Sequence, residues 1–394
     1  GGLRAGAAKV AVVASALFGS ISGSASANVA STGAITLPAM KRLGYPASLA
    51  AAVEAVASTG GQIMPPLMGA GAFVMAELLT RPYTEIVVAA TLPAILFFVA
   101  VWIGVDRQAR HAGLAPVPAA ERPSGRSVLR LLPFFALPFG VLLAVLFGTG
   151  RTPQSAAGAA IVTAAALLLV DERLRPVFRA FLGRIANTAV DAGRQTAGIA
   201  AIIVCAGLIV GVLNQTGLGV KVTSAMLAVS GGQLWAALAL TALACLILGM
   251  EVPTTAAYVI CVAVAGPALI ELGLPPLVTH LFVFWYALLS TITPPVCGTV
   301  FIAAGMADAP WLAVAGRALR LGLGLYLVPI AFVVQPALLD PAGQPVEAAI
   351  AFLRVGAALW LVAAALAGGD RLLLSWPRLA MLTAGLALLL VRLV

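Results

Sequence analysis

Four short stretches place hydroxyls, amides and glycines inside otherwise apolar sequence. They are Ser20-Ile-Ser-Gly-Ser-Ala-Ser26 with Asn28 behind it, Gly60-Gly-Gln-Ile-Met-Pro-Pro66, Gly249-Met-Glu-Val-Pro-Thr-Thr255, and Ser290-Thr-Ile-Thr-Pro-Pro295. Glycine permits unwinding and proline removes a donor, so each reads as an interruption in an apolar helical segment. In hydrocarbon, such backbone is tolerated only where protein buries it or where it lines a cavity. The interruptions therefore point to a site. Freed carbonyls and hydroxyl oxygens suit a hard monovalent cation, and helix N-termini with unsatisfied N–H groups suit an anion. On that chemistry Ser24, Asn28, Thr254 and Thr255 are the candidate substrate ligands. Ser22, Gly23, Gly60, Gly61, Gln62, Gly249, Glu251, Thr291, Thr293 and Gly298 are the candidate cation ligands. No Arg or Lys stands in the first or third stretch. A carboxylate substrate would thus be met by dipoles, hydroxyls and co-transported cations, which makes cation coupling the physical corollary.

Plainer readings stand beside these. A serine or threonine in a membrane helix often bonds back to its own backbone or packs helices closely. Gly61 could simply permit close helix packing, and Glu251 could face water. Glu54 lies mid-helix, where a carboxylate is expensive, and is the better candidate to carry a proton or cation. His280 reads as a satisfied or interfacial histidine. HExxH is missing and no GxSG-type serine with a histidine partner is visible, so no catalytic residue is expected.

The interruptions recur in one register. Pro38-Ala39 maps onto Pro267-Ala268, Leu43-Gly44 onto Leu272-Gly273, Pro46 onto Pro275, Pro65-Pro66 onto Pro294-Pro295, and Gly69 onto Gly298, all at an offset of 229 residues. Paired, Gly/Pro-interrupted hydrophobic segments in corresponding places are the sequence mark of a secondary transporter's binding region.

Of the 394 residues, 62% are hydrophobic and 9% charged, a balance that excludes a soluble domain and implies a polytopic membrane protein. The net charge of +9 arises from Arg and Lys lying between apolar segments, as topogenic charges do, so no nucleic-acid partner is expected. Cys205, Cys245, Cys261 and Cys297 all fall in apolar segments without metal-ligand spacing. The chain starts at Gly1 and enters an apolar helix at once, which reads as a start within a longer polypeptide, with helices ahead of the first repeat missing.

Positioning the interruptions requires helices on either side. Leu3–Gly19 and Ala27–Met40 are too short to span and read as the arms of a re-entrant hairpin, followed by a helix from Pro46 broken at Gly60–Pro66. Leu234–Leu248 and Ala257–Leu269 form the second hairpin, and Pro275–Met306 the second broken helix. Plain spans are expected at Glu85–Val105, Leu131–Phe147, Ala156–Val170, Gly198–Leu213, Leu312–Val334, Ala348–Ala367 and Leu379–Val391, with a charged segment at Asp171–Arg184 that reads as an interfacial helix. The expected division is a first core at 1–83, scaffold spans at 84–216, a second core at 217–306 and C-terminal spans at 307–394. Placing Lys41-Arg42 in the cytoplasm puts 18 basic residues inside and 5 outside, which the positive-inside rule favours. Five crossings then separate the hairpins, so they enter from opposite faces as inverted repeats.

With these motifs in place, a family resemblance is visible. SGSASANVASTGAITLPAMKRLGYP followed by GGQIMPP resembles the large membrane subunit of TRAP (tripartite ATP-independent periplasmic) transporters, and ITPPVCGTVFIAAGMA resembles that subunit's second signature. The tail RALRLGLGLYLVPIAFVVQPALL, with two further spans, resembles the TAXI-associated fused permeases, in which small and large membrane subunits form one chain. The resemblance implies an elevator-type, all-α importer of the bacterial inner membrane, without ATP or other cofactor. A TAXI-type periplasmic binding protein would deliver an organic acid or amino acid, and a gradient, usually of sodium, would drive uptake. It matches the family's cation sites to the Ser22–Asn28 tip with the Gly60–Pro66 break, and to the Gly249–Thr255 tip with the Thr291–Gly298 break. The fused small-subunit part would be a missing N-terminal segment, and Glu251 within a tip leaves proton coupling open. A channel would want a ring of pore-lining charges, which this chain replaces with broken hairpins. The nearer alternative is a standalone cation-coupled carboxylate symporter of related inverted-repeat fold.

Overall fold

The computed structural model describes residues 5–114, 116–118, 122, 124–171, 173, 175–250, 252–366 and 376–390. Glu251 lies outside them, as do Leu3, Ala367 and Val391, which bound expected segments. The described residues are helical throughout, apart from turns, loops and one isolated bridge between Val170 and Pro176.

Gly23 ends α1 (Gly6–Ser22) in the left-handed region, its N–H returning to the Gly19 carbonyl. Ser24 then opens α2 (Ala25–Arg42) by accepting the Ala27 N–H at 3.3 Å. A left-handed glycine followed by a hydroxyl cap is enough to stop one helix and start the next. The expected Ser20–Ser26 tip therefore shrinks to Gly23 and Ser24, with Ser22 inside α1 and Asn28 inside α2. Next come α3 (Ala47–Gly61), α4 (Ala70–Leu79) and α5 (Tyr83–His111). Gly60 and Gly61 are helical rather than unwound, and the break runs from Gln62 to Gly69.

The second copy repeats this plan. It consists of α10 (Leu234–Leu248), α11 (Thr254–Glu271), α12 (Pro276–Leu289) and α13 (Gly298–Ala307). The bounds of α2 and α11 coincide at the offset of 229. So do individual backbone bonds. Leu43 N–H to Ala39 O, Gly44 N–H to Lys41 O and Tyr45 N–H to Met40 O recur as Leu272 to Ala268, Gly273 to Ile270 and Leu274 to Leu269. Where α3 ends, the N–H groups of Gln62, Ile63 and Met64 reach back three residues, and those of Thr291, Ile292 and Thr293 do the same. Both Pro-Pro bonds, 65–66 and 294–295, are cis.

The chain divides into two compact units, one of residues 1–117 and 205–394, the other of residues 118–204. In the first, α3 is buried from Leu49 to Gly61 and α12 from Val278 to Leu289. A helix apolar all round is a helix enclosed by others. Around α3 pack α1, α2, α5, α13 and α14 (Trp311–Leu321), and around α12 pack α4, α10, α11 and α15 (Leu323–Val334). The second halves of the broken helices cross over: α4 lies on α11 and α12, while α13 lies on α2 and α3. Lys41 completes that crossing by donating to the Ala307 carbonyl at the end of α13, 2.8 Å away. Lys9 pairs with Asp106, fastening α1 to α5.

The expected span at 312–334 is found at Trp311–Val334, with α14 and α15 meeting at Gly322, where an added Cβ would stand 2.8 Å from the Ile292 side chain beside the second break. A short helix, α9 (Leu218–Ser230), has no counterpart in the sequence reading; its Met226 packs on Ala265 and Ala268 of α11. At thirteen residues it is too short to register as a span. A 3₁₀ turn (Pro336–Leu339), α16 (Pro345–Leu366) and α17 (Trp376–Leu390) close the unit, with α17 packed on α16.

The second unit holds α6 (Gly125–Gly148), α7 (Pro153–Leu167) and the start of α8 (Phe178–Gln215), the last absorbing much of the expected interfacial segment. Its apolar side chains are turned outward: Leu129, Val162 and Leu182 are 68–77% exposed, which is tenable against lipid but not water. Between α7 and α8, the Arg175 and Arg173 N–H groups hold the Asp171 carboxyl below its ordinary range. Six helical segments are long and apolar enough to cross a bilayer among the described residues. The arms α1, α2 and α10 have 15–18 residues, about 23–27 Å at the helical rise, short of a hydrocarbon core of about 30 Å, while α11, at 18 residues, is one of the six.

Close helix approach makes one position testable. A Cβ on Gly61 would fall 2.7 Å from both the Gly19 Cα and the Ser15 carbonyl, backbone atoms that cannot swing aside. Gly61→Ala is expected to cost about 1–3 kcal/mol or more and to lower the melting temperature in detergent. Gly140→Ala, on α6 with nothing within 4 Å of its added methyl, is expected to leave the melt unchanged.

Candidate functional site

The first tip seats on the first break. Gly23 and Gly69 meet backbone to backbone, an added Cβ on Gly23 lying 2.5 Å from the Gly69 Cα. Beside them the Ser22 Oγ is buried without a hydrogen-bond partner among the described residues. The carbonyls of Pro66 and Leu67, freed by the break, both accept from the Tyr83 hydroxyl of α5. Tyr83 in turn stacks on Phe73 of α4 with ring centroids 4.1 Å apart. Gly60 packs flat on Phe97 of α5, which stands where its Cβ would be.

At the second break Ser290 is buried and donates within reach of the Gly249 and Ala287 carbonyls, 2.8 Å each. It ties the end of α10 to the end of α12. Thr293 returns to the Leu289 carbonyl and lies 2.6 Å from the Tyr326 hydroxyl of α15. Each break is thus held by a tyrosine from a flanking helix. Gly298 opens α13 with Cys297 before it, and Thr255 is half-buried in the first turn of α11.

The two copies touch through these same groups. The Gln62 side chain, 3% exposed, donates from Nε2 to the Gly23 carbonyl at 3.1 Å and accepts at Oε1 from the Thr254 hydroxyl at 3.0 Å. One amide therefore joins the tip of the first hairpin to the first residue of α11. Thr59 and Thr291 meet hydroxyl to hydroxyl at 3.1 Å, joining the end of α3 to the second break. Gly23, Gln62 and Thr254 are connected in this way, as are Thr59 and Thr291, while Gly60 and Gly61 pack on Phe97 and Gly19, and Ser22 lies beside Gly23. Gly249 and Thr293 are held within the second copy. Ser24 is occupied as a helix cap. Asn28 is fully buried, its amide donating to the Ser15 carbonyl at 2.9 Å and lying 3.4 Å from the Ser58 carbonyl.

Glu54 is fully buried in α3. Hydroxyls of Ser15 from α1, Thr32 and Thr36 from α2, and Ser58 from α3 all face its carboxylate; Ser15 stands at 3.0 Å and Ser58 at 3.4 Å. His280 is buried and its Nδ1 lies 2.7 Å from the Tyr258 hydroxyl, a partnered core histidine.

Chemically, the junction offers what a small polar solute requires in a membrane. The N-termini of α2 and α11 approach the Gln62 side chain, and helix starts favour negative charge. Hydroxyl and carbonyl oxygens around the breaks favour a hard cation. Sequence reasoning located the tips and breaks but missed Tyr83, Tyr326 and Thr59. Their only signal was a polar group on an apolar helix at the depth of a break, which one chain does not reveal.

Buried interruptions, spanning helices and two interlocked copies define a helical membrane permease. Residues 1–340 match the family described as the tripartite ATP-independent periplasmic transporter, DctM component. The chain belongs to that family: it is a TRAP transporter large-permease component of the inner membrane, a transport protein and not an enzyme. It is 25% identical over 335 residues to the C4-dicarboxylate TRAP transporter large permease protein DctM of Pseudomonas aeruginosa, covering 85% of this chain and 75% of that protein. The Vibrio cholerae protein of the same description is 26% identical over 336 residues, covering 81% of this chain and 73% of its own.

The Gln62 link can be measured. Gln62→Leu and Thr254→Val should each destabilise the protein by about 1 kcal/mol, and the double variant should fall short of their sum by roughly 0.5–1.5 kcal/mol. A denaturation cycle in detergent checks this; full additivity would mean that the bond is not made.

Proposed function

We propose that this chain is the membrane permease of a binding-protein-dependent, cation-gradient-driven importer of small carboxylates, working by elevator-type alternating access. The observation that carries the reading is the Gln62 side chain, bonded at once to the Gly23 carbonyl of one tip and to the Thr254 hydroxyl of the other hairpin. Substrate bound there would contact both repeats, and moving them together would carry it across. Three arms too short to span, α1, α2 and α10, support hairpins that enter and leave on one face, and the odd number of crossings expected from the sequence would make them enter from opposite faces.

In this reading a carboxylate substrate lies at the starts of α2 and α11, near Ser24, Thr254 and Thr255, with Asn28 bracing the tip behind them. Sodium takes the oxygens around the breaks. The unpartnered Ser22 Oγ, with neighbouring carbonyls, serves the first position; Thr291 and Thr293 with the Gly249 turn serve the second. The Pseudomonas and Vibrio relatives are C4-dicarboxylate permeases, which supports an organic-acid substrate. The partners are a periplasmic binding protein and a small membrane subunit. Two helices, α16 and α17, follow the family match at residue 340, which favours the TAXI-associated fused arrangement and a TAXI-type binding protein. The second reading, a symporter that works without a binding protein, has the same core and differs only in delivery.

Uptake of labelled dicarboxylates into proteoliposomes tests this. Uptake should require both the binding protein and an inward sodium gradient, and Thr291→Val should lower it by about tenfold. Uptake indifferent to the binding protein would establish the standalone symporter instead.

A further inference from the structure

The two repeats differ sharply at one place. Thr32, Thr36, Glu54 and Ser58 correspond at the 229 offset to Cys261, Ala265, Val283 and Ala287. Along the first arm the correspondence is one residue longer: Gly19, which meets Gly61, is matched by Gly249, which meets Ser290. Ser15 therefore corresponds to Cys245, whose thiol faces Cys261 as Ser15 faces Thr32. All five counterparts are buried. The same three helices thus pack around a valine in one copy and around a carboxylate with four hydroxyls in the other. The fold does not need the carboxylate. Retaining one where hydrocarbon burial is costly marks it as functional.

Its surroundings suit one task. The helices packed against α3 carry Lys9, Lys41, Arg42, Tyr83, Glu85, Asp106, Arg107, Arg110, Arg317 and Arg320, with Asp308 capping α13. None of these forms an ion pair or hydrogen bond with Glu54 among the described residues. Lys9 is taken by Asp106 and Lys41 by the Ala307 carbonyl. Thr32 and Thr36 each have a second acceptor, the carbonyl one helical turn back: Asn28 O at 2.7 Å and Thr32 O at 3.0 Å. With the carboxylate ionised, the hydroxyls donate to it. With it protonated, the carboxyl O–H donates to the Thr36 oxygen, and the Thr36 proton turns to the Thr32 carbonyl. A proton can enter and leave with no change beyond hydroxyl rotation. From Thr32 the bonds run on to Asn28, which holds the Ser15 carbonyl beside Gly19 and reaches that of Ser58, one turn before Gly61. These bonds link the nest to the helices that carry the first tip and break.

We propose that Glu54, in its nest of Ser15, Thr32, Thr36 and Ser58, is a proton-carrying site present in the first repeat alone, separate from the cation positions at the breaks. It takes a proton on one side of the membrane, releases it on the other, and so couples transport to the proton gradient. This rests on the transport function proposed above.

The test uses the full chain, reconstituted with its binding protein, under a sodium gradient with and without an imposed pH gradient. Wild type should show uptake stimulated at least about threefold by an inward proton gradient; in Glu54→Gln that ratio should fall to about one, whatever absolute rate remains. Glu54→Val reproduces the side chain of the second repeat and should behave as the glutamine variant does. Thr36→Val, which removes one donor to the ionised form, should move the pH midpoint of uptake upward. A wild-type ratio in Glu54→Gln would overturn the proposal. So would loss of sodium dependence with the ratio kept, which would make the nest a sodium site. Infrared spectra of the protein recorded across pH provide a readout apart from transport: a protonated-carboxyl C=O band that titrates in wild type and is missing in Glu54→Gln is expected. If wild type transports nothing with its binding protein, the transport reading fails. The infrared titration still decides whether Glu54 takes up a proton, and a spectrum without that band would sink the site.

Discussion

A helix interrupted inside a membrane leaves N–H and C=O groups that neither water nor lipid can satisfy, and the architecture of this chain follows from that one constraint. At both breaks the last turn tightens so that three N–H groups reach carbonyls three residues back. Carbonyls beyond the first break are met by the Tyr83 phenol, and at the second the Tyr326 phenol meets the Thr293 hydroxyl. The hairpin tips cover what is left, and glycine is required where Gly23 lies on Gly69 and Gly19 on Gly61, because no side chain fits between backbones that close. The oxygens that remain around these seams are polar groups gathered inside an otherwise apolar protein.

The features legible in the sequence were those set by backbone chemistry. Prolines and glycines announce where a helix must stop, and their recurrence at one offset revealed the duplication before any coordinates. What composition cannot express is depth. Gly60 and Gly61 look like residues that unwind a helix, yet they stay helical and serve approach to Phe97 and α1. Ser20 to Ser26 looks like a loop, but a left-handed Gly23 and a capping Ser24 confine the turn to two residues. The joint at Gly322 leaves no mark on hydropathy, because Leu321 and Leu323 continue the apolar run on either side of it. Glu54 was visible as an intramembrane carboxylate. Its four hydroxyl partners come from three helices and emerge only once those helices are packed.

Duplication followed by divergence is written most clearly in side chains rather than in backbone. The turns after the hairpins keep three backbone hydrogen bonds in register, whereas the interior exchanges Ser15 and Thr32 for a pair of cysteines and Glu54 for valine. Backbone geometry is shared because both copies must solve the same solvation problem. Side-chain chemistry is free to differ because only one copy needs any given polar group, and each unneeded one is expensive to bury.

The crossing-over of α4 and α13 makes the copies interdependent. Without the second copy, α2 and α3 would lose α13, and α4 would keep α5 but lose α11 and α12. Neither copy closes its own core, so each is finished only by folding onto the other.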